Sequence, residues 1–214
     1  MGKIFAIGDI HGYILKLDRL MAKLDIDAEK DTLVFIGDYI DRGPDSKGVI
    51  DKILNIRKRI KNVICLLGNH EQMFLNYYLE QRDEDLFMHN GGISTLISYG
   101  FTREGRKDLI VPDKHVEFLT TLRPYYETDG YIFVHAGLRP GIPIDRQNLD
   151  DLIWIRYEFI NSPYDFGKVV IFGHTPLSLT EPLTDKNKIG LDTGAVYGGK
   201  LTCIELSEMK IYQV

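Results

Sequence analysis

The sequence predicts an α/β domain with two sheets, mixed in the second half, and helices on the outside. Three observations carry this. Short apolar runs rich in β-branched residues each end in Gly plus a polar cluster. Apolar residues recur at helical spacing between the first of these runs, and hairpin and strand signals dominate the second half. At 214 residues, 44% hydrophobic and 27% charged, the chain is long enough to bury a core without disulfides, and one domain over residues 1–214 is expected.

Lys3 to Ile7, Thr32 to Ile36 and Val63 to Leu67 read as three parallel strands. Between the first two, Ile14, Leu17, Leu20, Met21 and Leu24 form a helical stripe, and between the next two Val49, Ile50, Ile53 and Leu54 form another. The opening is therefore βαβαβ. A helical layer follows, marked by Met73, Phe74, Tyr77 and Tyr78, then Ile93, Leu96 and Ile97, then Val116, Phe118, Leu119 and Leu122. Tyr125 to Glu127 and Tyr131 to Val134 flank Asp129-Gly130, a two-residue hairpin signal. Val169 to Phe172, Ile189 to Asp192, Leu201 to Leu206 and Lys210 to Gln213 complete the strands, while Pro140, Pro143, Pro163 and Pro176 mark loops.

The net charge of −5 argues against a nucleic-acid binder, which needs a basic face. The one basic cluster, Arg57, Lys58, Arg59 and Lys61, closes a helix pattern where cations complement the macrodipole. Nothing at the start reads as a signal peptide, and no apolar run is long enough to span a bilayer. Cys65 and Cys203 lie inside strand-like runs as buried free thiols. A reduced, cytoplasmic protein is expected.

Of the six histidines, four (His11, His70, His135 and His174) lie within two residues of a Gly just past a strand-like run. Three of the strand ends also carry carboxylates or an amide: Asp9 with His11, Asp38 and Asp41 with Arg42, and Asn69 with His70. Functional groups converge at the carboxyl ends of strands in open α/β sheets, so these pieces are expected in one cleft. Imidazole, carboxylate and amide oxygen without a thiolate suit Mn, Fe or Zn. Asp9, His11 and Asp38 could hold one ion and Asn69, His135 and His174 a second, with Asp38 bridging. Two ions roughly 3.5–4 Å apart can clamp a phosphoryl displacement.

Together Gly8-Asp9-Ile10-His11-Gly12, Gly37-Asp38-Tyr39-Ile40-Asp41-Arg42-Gly43, Gly68-Asn69-His70-Glu71, His135-Ala136-Gly137 and Gly173-His174 resemble the motifs of the PPP-type metallophosphatases. The bacterial and phage lambda-type serine/threonine phosphatases are the branch most similar in length and tail. The resemblance implies a calcineurin-like sandwich of two mixed β-sheets flanked by helices, two divalent ions with manganese preferred, and attack by a metal-bridging hydroxide on phosphoproteins or small phosphate esters. It also implies His70 as general acid held by Asp41, with Arg42, Arg156 and Asn69 on the phosphate. A guanidinium fork suits tetrahedral phosphate oxygens, and a protonated imidazole needs a carboxylate partner. Asn90-Gly91-Gly92 is similar to the bacterial branch, where His89 and Asn90 could line the substrate cleft but a helix N-terminus is the plainer expectation; Asp192 to Gly199 matches its tail.

Gly194, Gly199 and Lys200 mimic a phosphate loop, but Leu201 replaces the magnesium-binding hydroxyl. The residues six beyond Cys65 and Cys203 are Glu71 and Met209, which excludes a cysteine-based phosphatase. Pro176 stands where nuclease-type relatives carry a second His, and Leu67 where eukaryotic protein phosphatases carry Arg. The alternative enzyme is a symmetrical dinucleoside tetraphosphate hydrolase, which the chain's length disfavours. A catalytically dead scaffold is disfavoured by the complete set of candidate ligands.

Overall fold

The computed structural model describes residues 2–102 and 110–214. Its first sheet has the order β10-β9-β1-β2-β3, built from β1 (Ile4–Ile7), β2 (Thr32–Phe35), β3 (Asn62–Cys65), β9 (Thr202–Glu205) and β10 (Lys210–Gln213). β1, β2 and β3 are parallel, as expected, while β9 runs antiparallel to β1 and β10 antiparallel to β9. The second sheet has the order β4-β5-β6-β8-β7, from β4 (Tyr125–Glu127), β5 (Tyr131–Val134), β6 (Val169–Phe172), β7 (Leu183–Thr184) and β8 (Lys188–Gly190). Both sheets are therefore mixed.

The strands read as continuous apolar runs because both of their faces are covered. Ala6, Val34, Leu66, Phe133, Ile171 and Ile204 point between the sheets and fill the sandwich interior. Their neighbours Phe5, Ile7, Leu33 and Phe35 face the opposite way, onto a cluster with Leu17 and Leu20 of α1 (Ile14–Met21), Val49 and Ile53 of α2 (Ser46–Arg57) and Phe74 of α3 (Asn69–Tyr78). Phe87 of α4 (Glu84–His89), Leu96 of α5 (Gly92–Ser98) and Phe118 of α6 (Asp113–Thr120) join that outer layer. On the other sheet, Ile132, Val134, Val170 and Phe172 pack on Leu152 and Ile153 of α7 (Leu149–Trp154) and Phe159 of α8 (Tyr157–Ile160). The result is four layers, helix, sheet, sheet, helix.

Several boundaries differ from the sequence reading. β3 stops at Cys65 because Leu66 and Leu67 turn to the segment at Arg123, whose carbonyl accepts the Leu67 N–H at 2.7 Å. β8 ends at Gly190, short of the expected Asp192, and β7 was not read at all. The helix N-terminus expected at Asn90-Gly91-Gly92 is present, since α5 starts at Gly92 with Gly91 before it, while Asn90 closes α4, its side-chain amide donating to the Leu86 carbonyl. Lys58 caps the end of α2, consistent with a solvated basic cluster. Cys65 and Cys203 are buried free thiols, and among the described residues no helix is long and apolar enough to cross a membrane.

Candidate active site

The site collects loops that leave the carboxyl ends of strands in both sheets. Asp9 and His11 follow β1, Asp38, Asp41 and Arg42 follow β2, and Asn69 and His70 start α3 just past β3. His135 follows β5 and His174 follows β6. Asp9, His11, Asp38, Asp41, Asn69, His70, His135 and His174 are all buried, and Arg42 and Arg156 are half-buried. The loops turn sharply: His11, Asp38, Asp41, Arg42 and His174 have φ of 48°, 51°, 68°, 64° and 65°. Left-handed backbone costs roughly 1–3 kcal/mol per non-glycine residue and persists where its surroundings over-determine it.

What over-determines the Asp38 turn is Glu71. Its carboxylate accepts the N–H groups of Asp38 at 2.9 Å, Tyr39 at 2.8 Å, Ile40 at 3.3 Å and Gly68 at 3.1 Å. Gly68 must be glycine here, since a Cβ would stand 2.2 Å from Asp38 Oδ1 and 2.7 Å from Glu71 Oε2. A glutamine at position 71 would turn an NH₂ group toward at least one of these donors. With unsatisfied buried donors costing roughly 1–3 kcal/mol each, Glu71→Gln is expected to lower the thermal melting point of the metal-loaded protein by about 5–10 °C. An unchanged melting point would remove Glu71 from this role.

Two groups of donors converge. His11, Asp38 and His70 place one ligand atom each within 4.8 Å of one another, and so do Asp38, His135 and His174. Asp38 belongs to both. Asn69 Oδ1 lies 3.0 Å from His135 Nε2, and His174 Nδ1 lies 3.3 Å from the same atom. The sequence put Asp9 with His11 and Asp38; it stands in neither triplet, holding the His174 N–H through Oδ2 at 2.9 Å. Its Oδ1 is buried without a hydrogen-bond partner among the described residues.

Imidazole tautomers are set from behind. His11 Nδ1 lies 2.8 Å from the Ile40 carbonyl and His135 Nδ1 lies 3.1 Å from the Ile36 carbonyl. A carbonyl can only accept, so each Nδ1 carries the proton and each Nε2 lone pair faces the centre, the arrangement of metal-ligating histidines. Burial holds His135 down to about 3 and lowers His11, His70 and His174 as well, which keeps neutral ligands available. The donor set and the orphaned Asp9 oxygen fit a dinuclear divalent centre.

The carboxylates show the complementary stress. Burial, then the charges of Asp192 and Asp38, pushes Asp9 well up, and burial with Glu71 does the same to Asp38. Burial raises Asp192 to about 6, Glu71 to about 7 and Asp41 to about 8. In the sequence Asp192 belongs only to the tail motif, because it sits at the end of an apolar run that reads as strand; in the structure its charge acts on Asp9 and Asp38.

A carboxyl whose folded pKa exceeds its unfolded value stabilises the fold at low pH and loses that contribution as pH rises through the folded value. The lowered imidazoles act oppositely, but their gain is complete once pH passes their ordinary 6.5. Between about pH 6.5 and 8 the carboxyls therefore decide the sign. The melting point of the metal-stripped protein is expected to fall across that window and to be restored by divalent ion. A melting point that rises with pH there would contradict this.

The His70–Asp41 pair is made, with Nδ1 2.7 Å from Asp41 Oδ2. His70 Nε2 is buried and without a hydrogen-bond partner among the described residues, 3.9 Å from Asp38 Oδ2. The sequence reading of a protonated His70 needs amending for the metal-free pair: burial and then the Arg42 charge disfavour the imidazolium, while burial favours the Asp41 proton. Arg42 Nη1 lies 3.0 Å from His11 Nε2. Arg156 precedes α8, and its charge acts on His70, His135 and His174. His89 ends α4, exposed.

Residues 2–202 match the family model described as calcineurin-like phosphoesterase. Serine/threonine-protein phosphatase 1 of Salmonella typhimurium is 29% identical over 204 residues, 93% of this chain and 89% of the relative. The asymmetrical bis(5'-nucleosyl)-tetraphosphatase PrpE of Anoxybacillus flavithermus is 30% identical over 236 residues, 97% of this chain and 92% of the relative. A solved structure of a candidate diadenosine tetraphosphatase superposes with a TM-score of 0.76 at 25% identity, covering 100% of this chain and 93% of the other. A four-layer sandwich with histidines, carboxylates and an amide gathered at its strand ends, matched along almost its whole length, places this chain in the calcineurin-like phosphoesterase family, whose members hydrolyse phosphoester bonds at a dinuclear divalent metal centre.

Proposed function

We propose that this chain is a phosphatase for monoesters, acting on phosphoserine or phosphothreonine in proteins or on small phosphate esters. Asp9, His11, Asp38, Asn69, His135 and His174 would hold two divalent ions, manganese before iron or zinc. When bound, the ions supply an activated water and neutralise charge on the phosphate. Arg42 and Arg156, with the Asn69 amide, orient the phosphate oxygens. His70 donates its Nε2 proton to the leaving oxygen while Asp41 holds Nδ1. The observation carrying this reading is the buried, unpartnered His70 Nε2, with Asp41 on Nδ1 behind it and His70 grouped with His11 and the shared Asp38. The buried free thiols suit a reduced, cytoplasmic setting.

A second reading, hydrolysis of dinucleoside tetraphosphates, has support from the PrpE relatives, which are asymmetrical rather than symmetrical enzymes. Length does not disfavour this group, because the chain spans 92% of the Anoxybacillus relative. Grooves on both sides of Trp154, whose ring centroid stands 5.9 Å from that of His174, leave room for a substrate larger than a phosphate.

The deciding experiment restores Mn²⁺ to metal-stripped protein and follows p-nitrophenyl phosphate, a phosphoserine peptide and diadenosine tetraphosphate. Faster turnover of the monoesters supports the first reading. Preference for the dinucleotide supports the second, with AMP plus ATP against two ADP giving the cleavage site. No turnover with Mn, Fe or Zn would defeat both.

A further inference from the structure

We propose that Thr95, assisted by Ser46, is a positioning residue for the acid pair, fixing Asp41 so that its free oxygen aims at His70. The inference rests on the reading of His70 as general acid.

The geometry closes around one turn of chain. Thr95 Oγ1 donates to Asp41 Oδ1 at 2.6 Å, leaving Oδ2 for His70 Nδ1 at 2.7 Å. The Asp41 N–H is shared between Thr95 Oγ1 at 2.9 Å and Ser46 Oγ at 3.0 Å, and the two hydroxyls lie 2.8 Å apart. All four residues are buried. Proton counting gives the network a direction. When His70 carries the proton it donates, Asp41 is the carboxylate and can only accept, so the one Thr95 hydroxyl proton is committed to Oδ1. The Ser46 hydroxyl must then donate to Thr95 Oγ1, whose second lone pair takes the Asp41 N–H. No hydroxyl rotor remains free, and the carboxylate plane is held at Oδ1, at the backbone and at Oδ2.

The residues that hold Asp41 come from helices outside the catalytic loops. Ser46 opens α2 and Thr95 lies in the middle of α5. Gly91 and Gly92 let α5 come this close. Gly91 has a φ of 94°, a Cβ there would meet Arg42 Cγ at 2.8 Å, and its carbonyl accepts the Arg42 N–H at 3.2 Å. A Cβ on Gly92 would strike the Phe87 ring. The Asn90-Gly91-Gly92 segment thus docks a helix whose hydroxyl serves the acid pair.

Thr95→Val keeps the shape and removes the hydroxyl, so it should leave phosphate binding intact and weaken proton donation. An acid matters most when the leaving group is a poor one. The expected result is an unchanged KM with a kcat loss on the order of tenfold to a hundredfold for a phosphoserine peptide, and less than about threefold for p-nitrophenyl phosphate, no more than part of the roughly 10²–10⁴ that acid catalysis contributes. Thr95→Ser should restore most of the loss. Ser46→Ala offers the same comparison if Thr95→Val does not fold, with melting point and metal content checked for each. Equal losses on both substrates, no loss, or failure of Thr95→Ser to rescue would overturn the proposal. His70→Asn, measured in parallel, separates the levels: a leaving-group-dependent loss there without one in Thr95→Val sinks only the positioning role. An equal loss on both substrates in His70→Asn sinks the acid assignment and the positioning role with it.

Discussion

The Asp38→Asn variant is expected to fold, to lose bound divalent ion and to fall by a thousandfold or more in kcat/KM, which corresponds to roughly 4 kcal/mol of transition-state stabilisation. Asp38 is the one residue common to both donor triplets, with Oδ1 3.4 Å from His135 Nε2 and Oδ2 3.5 Å from His11 Nε2. An amide keeps one acceptor oxygen and replaces the other with a donor, so it cannot serve both groups. Stability should move in the opposite direction. Burial and the Glu71 charge push the Asp38 carboxyl well above its ordinary range, so neutralising it should raise the melting point of the metal-stripped protein near neutral pH. Metal stoichiometry, melting points and turnover on one preparation check all three. Full activity with two bound ions would refute the shared role of Asp38.

The second large effect is expected at His70. His70→Asn should reduce kcat by roughly 10²–10⁴, the range of a lost general acid, while two divalent ions remain bound. The retained metal is what distinguishes this residue from its neighbour. Asn69 and His70 are adjacent at the start of α3, yet Asn69 Oδ1 points to the His135 side of the site and His70 Nδ1 is committed to Asp41. His70 nevertheless falls within one donor triplet with His11 and Asp38. Loss of an ion from His70→Asn would therefore reassign it from acid to ligand. Metal analysis beside turnover of a phosphoserine peptide reads out the difference.

Much of this site was legible because its chemistry is concentrated at loop positions that interrupt strong patterns. A His or Asp two residues past an apolar run stands out against the run itself, and Gly8, Gly37, Gly68 and Gly173 mark where the backbone must turn. The residues that hold those loops were not legible in the same way. Thr95 and Ser46 lie on helices, where a single hydroxyl in a helical stretch resembles filler, and Thr95 meets Asp41 across 54 positions of sequence. Glu71 was visible as part of a motif, but its four backbone partners come from two separate loops. Among the strands, β7 escaped notice because two residues after Pro182 carry no periodicity. β8 was drawn too long because Leu191 stays apolar and still donates to the Phe172 carbonyl at 2.7 Å after the ladder has ended.

The antiparallel seat of β9 against β1 sets a schedule for biosynthesis. Asp9 emerges from the ribosome early, yet the loop behind it is framed by residues made near the end: Gly8 N–H bonds the Thr202 carbonyl at 3.0 Å, and the Asp9 carboxylate binds the His174 N–H. At about 5–20 residues per second, roughly 10–40 seconds separate the first strand from its last partner. Through that interval the Asp9 loop lacks the backbone that frames it, so this side of the site takes its final shape only after β9 is made.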